Sequence, residues 1–130
     1  MTEPVWLLRN VVEAVHDAQL AEHGGLPGLR DPGLLESALA RPRNSFGYGE
    51  TDIRVLAASY AFGIARNHPF IDGNKRMAFL AAYVFMRLNG WRITATEPDT
   101  TTVVLSLAAG QMSESDFAIW LCNNSAQTGE

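Results

Sequence analysis

Cysteine and lysine are nearly missing from this chain: it has one of each, Cys122 and Lys75. A lone cysteine excludes an internal disulfide and a multi-cysteine zinc site, and a free thiol suits a reducing compartment. Charge is sparse as well. Asp, Glu, Lys and Arg make up 18% of residues, against roughly 25% in an ordinary soluble domain. With 47% apolar residues, the chain has ample material for a core, which excludes wholesale disorder. Long apolar runs are also lacking. The longest, Met77 to Met86, is ten residues, about half of what a bilayer-spanning helix needs, so it is expected in the core. The opening Met-Thr-Glu-Pro has neither the basic nor the apolar segment of an export signal. The cytoplasm is the expected compartment. A formal net charge of −4 gives no overall pull toward nucleic acid or an anionic membrane, and neither is an expected partner.

The charges that are present are unevenly placed. Residues 41–76 carry six basic against three acidic side chains, a local +3, while the remainder carries four basic against eleven acidic, −7. A chain of 130 residues suits one domain. Its periodicity is mostly helical. Val5, Leu8, Val12, Val15 and Ala18 predict a helix over 5–22 that ends at Gly24-Gly25. Asp31-Pro32 supplies an N-cap and a first-position proline for a short helix that stops before Pro42. Residues 42–51 (PRNSFGYGET) predict a loop or small hairpin flap with surface aromatics. Ile53–Ala65 and Met77–Leu88 are apolar nearly all round and belong at the centre of a bundle. Trp91–Thr96 reads as a short strand, and Thr100–Ala109 and Ser113–Leu121 as closing helices, the last capped by Ser113. The tail from Asn123 is polar and expected to fray.

Between the two central helices lies Asn67-His68-Pro69-Phe70-Ile71-Asp72-Gly73-Asn74-Lys75-Arg76. Pro69 disfavours a helical conformation for His68, and Gly73 permits a tight turn, so this is a short loop feeding a helix N-terminus. Such a terminus presents unpaired N–H groups and a partial positive charge. Lys75 and Arg76 in the first turn oppose that dipole, at about 0.3–1 kcal/mol each. Their presence points to an anionic ligand such as a phosphate chain. Asp72 offers a hard oxygen ligand for Mg²⁺. His68 can take a proton from an attacking hydroxyl. Arg76 can grip phosphate with its planar fork, Lys75 as a point charge and Asn74 through its amide. Phe70 and Ile71 are expected to point inward and pin the loop. Blander readings stand beside these: Asp72 as a helix cap, Lys75 and Arg76 as a solvated face. A zinc pair of His68 and Asp72 lacks further ligands at zinc spacing. His16 and His23 read as structural, Cys122 as a small hydrophobe, and Phe79, Tyr83 and Phe85 as core.

The run His-Pro-Phe-x-Asp-Gly-Asn-Lys-Arg at 68–76 resembles the motif of the Fic/Doc superfamily, in the lysine form that marks its Doc (death-on-curing) toxin branch. The likeness continues through His16, Glu22-His23-Gly24-Gly25, Gly28-Leu29-Arg30-Asp31, Leu34 to Pro42, Tyr48-Gly49 and Trp120-Leu121. It implies an all-α Fic/Doc bundle over residues 1–122, with 123–130 as the tail. It further implies ATP as substrate with Mg²⁺, a site built from His68, Asp72, Gly73, Asn74, Lys75 and Arg76, and a toxin kinase that phosphorylates a threonine of elongation factor Tu. The broader Fic branch has glycine at the place of Lys75 and a second arginine at that of Phe79, and usually transfers AMP. Protein adenylylation is therefore the alternative activity, and an inactive Fic-fold binding module the alternative without one. Met77 departs from the threonine expected of Doc-like motifs. The family's inhibitory Ser/Thr-x-x-x-Glu-Gly/Asn helix is absent, since no Glu has Ser or Thr four residues before it. That implies a separate antitoxin protein covering the site.

Overall fold

Four of the helices begin on a side chain that accepts an N–H from the first turn, and this local chemistry sets the element boundaries. The structure, a computed structural model, describes residues 2–129. Along the chain come α1 (Arg9–His23), α2 (Pro32–Gly47), α3 (Ile53–Asn67), α4 (Asn74–Leu88), β1 (Trp91–Ile93), α5 (Glu97–Ala108), α6 (Glu114–Asn123) and β2 (Ser125–Gln127). Asp31 caps α2, Asp52 caps α3, Thr96 caps α5 and Ser113 caps α6. The fold is all-α apart from one antiparallel ribbon, β1 with β2.

α3 is the hub, packed against α2, α4, α5 and α6. Its Leu56, Ala57, Ala58, Tyr60, Ala61 and Ile64 are fully buried, as its continuous apolar sequence requires. Gly63 brings α2 close: a β-carbon there would stand 3.2 Å from the Ala38 backbone. At the start of α3, Arg54 forks onto Asp52 at 2.9 and 3.0 Å and lies 4.5 Å over the Trp91 ring. That bond to Arg54 holds the Asp52 carboxyl below the usual carboxylate range.

Several sequence expectations are corrected. α1 starts at Arg9 rather than near residue 5. The preceding segment is not helical: Leu8 is extended, and Leu7, not Val5 or Leu8, enters the core, where its N–H donates to the Tyr60 hydroxyl at 3.1 Å. The second helix does not stop before Pro42. It continues through that proline to Gly47, so the flap expected over 42–51 shrinks to the turn after Gly47. A proline inside a helix costs about 3 kcal/mol. Here Pro42 is fully buried and Phe46 packs edge-on against Trp6 at 5.6 Å, burial that offsets much of the loss. Tyr48 alone matches the surface aromatic that was expected, at 95% exposure. α5 begins at Glu97, earlier than Thr100. The tail does not simply fray, because Ser125–Gln127 pairs with Trp91–Ile93.

Burial pushes the Tyr60 phenol above its ordinary pKa. Tyr60→Phe should leave the buried Leu7 N–H without an acceptor and cost about 1–3 kcal/mol. The change should appear as a lower urea midpoint with an unchanged slope. An unaltered midpoint would show that the N-terminal segment draws no stability from this bond.

Candidate functional site

α3 ends at His68, whose N–H donates to the Ile64 carbonyl at 3.1 Å while its own backbone turns left-handed, φ 48° and ψ 57°. The chain thereby leaves the helix into the loop that the Pro69 rule anticipated. Asn74 closes this loop: its Oδ1 accepts from Phe70 N at 2.9 Å and its Nδ2 donates to Phe70 O at 2.8 Å. The amide expected to grip phosphate is thus engaged in building the loop. Phe70 is buried, as expected, but Ile71 points outward at 50% exposure.

From Gly73, at φ 81°, the chain enters α4 in a conformation that glycine adopts without strain. No side chain caps this helix. Asp72 does not take that role. Its Oδ1 accepts from the adjacent Gly73 N at 2.9 Å, and its Oδ2 accepts from Leu26 N at 3.2 Å. The first turn of α4 thus has no side-chain cap, and its residues Asn74, Lys75 and Arg76 line the cleft in front of it, so its orphan N–H groups are open to an anion.

The cleft in front of this helix end has a volume of about 400 Å³ and is lined by His68, Asp72, Gly73, Asn74, Lys75 and Arg76, with Ile71, Ala65 and Ala108 of α5 at its sides. All six candidate residues converge there. Among the described residues, no ion pair engages Asp72, Lys75 or Arg76. Beyond Lys75 the cleft continues into a groove of about 550 Å³ between α4 and α5, walled by Arg76, Phe79, Tyr83, Val104 and Leu105. Phe85 is buried as expected, whereas Phe79 and Tyr83 are half-exposed walls of this groove rather than core. A larger hollow of about 600 Å³, at the turn after α2, contains none of the motif residues.

Asp72 also fits a hard divalent cation. Each carboxylate oxygen holds one hydrogen bond from a backbone N–H and keeps lone pairs to spare. Among the described residues no group of three or more His, Cys, Asp or Glu is clustered for a metal. A single carboxylate is the donor set of a Mg²⁺ ion that completes its shell with phosphate and water.

Two residues outside the motif hold the loop from behind. His16 of α1 is 3% exposed, stacks on Phe70 at 4.0 Å and sets its Nε2 2.9 Å from the Asp72 carbonyl. Its structural reading holds, and its position on the buried face of α1 together with Val12 was the signal that it packs inward. Arg30 donates from Nε to His68 O and from Nη2 to Asn67 O, both at 2.7 Å.

Comparison with known proteins agrees with this geometry. A family model described as "Fic/DOC family" matches residues 6–86. The chain is 38% identical over 106 residues to "Protein kinase doc" of Escherichia phage P1, covering 81% of this chain and 83% of that protein. It is 43% identical over 75 residues to "Toxin Doc" of Mycolicibacterium smegmatis, covering 55% of this chain and 57% of that protein. Motif, helical fold and relatives agree: the chain belongs to the Fic/DOC family, on its Doc branch.

Proposed function

We propose that this protein is a Doc-like toxin kinase that transfers the γ-phosphate of ATP to a threonine hydroxyl of elongation factor Tu and so halts translation. The observation that carries this reading is the uncapped N-terminus of α4, with Lys75 and Arg76 in its first turn and His68 and Asp72 in the same cleft. The names of the relatives, a protein kinase and a toxin, support the same activity over AMP transfer or an inactive binding module.

In this reading the α4 N–H groups, Lys75 and Arg76 receive the phosphate chain. The acceptor oxygen attacks the γ-phosphorus, the bond to the β-phosphate oxygen breaks, and ADP leaves. His68 takes the proton from the hydroxyl. Mg²⁺, when bound by Asp72 and phosphate oxygens, supplies neutralisation of the phosphate charge. Asn74 and Gly73 shape the loop that aims these groups. A separate antitoxin covers the site, and the apolar groove of Phe79, Tyr83, Val104 and Leu105 suits a segment that folds as a helix on binding.

Induction of the chain in bacteria without an antitoxin tests the reading. Pulse-labelled protein synthesis should fall before growth stops, and Asp72→Ala should relieve both. A protein that is active on its target and harmless at high level would overturn the toxin assignment.

A further inference from the structure

His68 is the one non-glycine residue with positive φ among the described residues. For an L-residue the left-handed region costs roughly 1–2 kcal/mol, and it persists only where the surroundings over-determine it. His68 is exposed, so packing of its own side chain does not impose this backbone, although Pro69 and Phe70 beside it are buried. Besides the helix-ending bond from its N–H to Ile64 O, a hydrogen-bonded clamp holds it. The Arg30 guanidinium spans the carbonyls of Asn67 and His68 at 2.7 Å each, and the main-chain N–H groups of Arg30 and Asp31 both donate to the Pro69 carbonyl, at 2.7 and 3.1 Å. Three consecutive carbonyls are therefore tied to one short stretch of the α1–α2 connection.

The chemistry of the clamp suits its place. The last carbonyls of a helix lack intrahelical donors and carry partial negative charge, and Arg30 satisfies two of them with one cation. Returning ψ of His68 to an ordinary value would swing its carbonyl away from Nε and break the fork. The backbone angles also set the direction of the Cα–Cβ bond, so the clamp fixes where the imidazole projects into the cleft.

We propose that Arg30 is a positioning residue for His68, acting on the proton-accepting imidazole through the backbone it holds left-handed. The inference rests on His68 as the general base. It concerns an arginine rather than a generic cation, because a lysine ammonium lacks the planar fork that spans two carbonyls.

A double-mutant cycle tests it, with rates of phosphate transfer from ATP to the modified protein measured for Arg30→Ala, His68→Ala and the pair. Arg30→Ala should lower kcat by about 10-fold or more, since small misplacements of a reacting group are costly, while KM for ATP changes by less than about twofold. In the His68→Ala background the same replacement should change the residual rate by less than about twofold, because residues acting through one another are not additive. Arg30→Lys should also lose rate, and it replaces Arg30→Ala in the cycle if circular dichroism shows the alanine protein unfolded. Equal losses in both backgrounds, or full kcat in the Arg30 variants, would overturn the positioning role while leaving His68 as base. A His68→Ala protein of undiminished rate would instead overturn the base assignment and the Arg30 role with it.

Discussion

Replacing His68 by alanine should leave the fold intact and slow modification of the target by roughly 10²- to 10⁴-fold, the usual worth of a positioned general base. Its side chain is exposed and makes no hydrogen bond among the described residues, so little stability is at stake. Arg76→Ala should cost about 10²–10³-fold, the loss typical when one preorganised donor to a charged transition state is removed. Asp72→Ala should abolish transfer together with its Mg²⁺ dependence. Its two hydrogen bonds are with exposed backbone groups, and each is worth only about 0.5–1.5 kcal/mol, so the variant should still fold. Far-UV circular dichroism and urea unfolding separate lost chemistry from lost structure. A folded Asp72→Ala protein that still modifies its target and arrests growth contradicts the proposed mechanism.

The second large effect concerns which phosphorus is attacked. In the AMP-transferring branch the resemblance puts glycine at the place of Lys75, leaving backbone N–H groups open to the phosphates, and a second arginine at the place of Phe79. Here Lys75 stands where the 400 Å³ cleft meets the apolar groove, and Phe79 offers an apolar wall instead of a far grip on the triphosphate. On that account the nucleotide binds reversed, with its γ-phosphorus at the point of attack. Reacting atoms must lie about 3–3.5 Å apart, so placement selects the phosphorus. Lys75→Gly with Phe79→Arg should weaken γ-phosphate transfer and gain measurable AMP attachment, seen as a change in the mass added to the target. Lys75→Arg should impair the kinase too, because its broader planar cation crowds the helix end. Efficient γ-transfer by the double variant with no AMP attachment would show that these residues do not set the nucleotide's direction.

The candidate site was legible because its members are neighbours in the chain. His68, Asp72, Gly73, Lys75 and Arg76 span one loop and one helical turn, so local rules for proline, glycine and helix ends suffice to place them together. The central α3 and α4 were legible for a similar reason, since helices apolar nearly all round have one place to go. What escaped depends on distant partners. Arg30 reaches His68 across 38 positions and His16 reaches Asp72 across 56, separations on which local patterning says nothing. Pro42 reads as a helix stop until burial in the core offsets much of the cost of its lost hydrogen bond. The polar tail reads as loose until Gln127 meets Trp91 across the ribbon. Tyr83 reads as core because helical spacing does not distinguish a face against the core from one that walls a groove.

The central claim is transfer of the γ-phosphate to a protein hydroxyl, and ATP carrying its label on either the α or the γ phosphorus tests it most directly. Each form is incubated with the purified protein, Mg²⁺ and a bacterial extract, and labelled proteins are resolved by electrophoresis with His68→Ala as control. The account predicts one principal band labelled from γ only, identified by mass spectrometry as elongation factor Tu phosphorylated on threonine and absent with His68→Ala. Labelling from α would establish adenylylation instead, and no labelling from either, by folded protein, would reduce the chain to a binding module; either result contradicts the account.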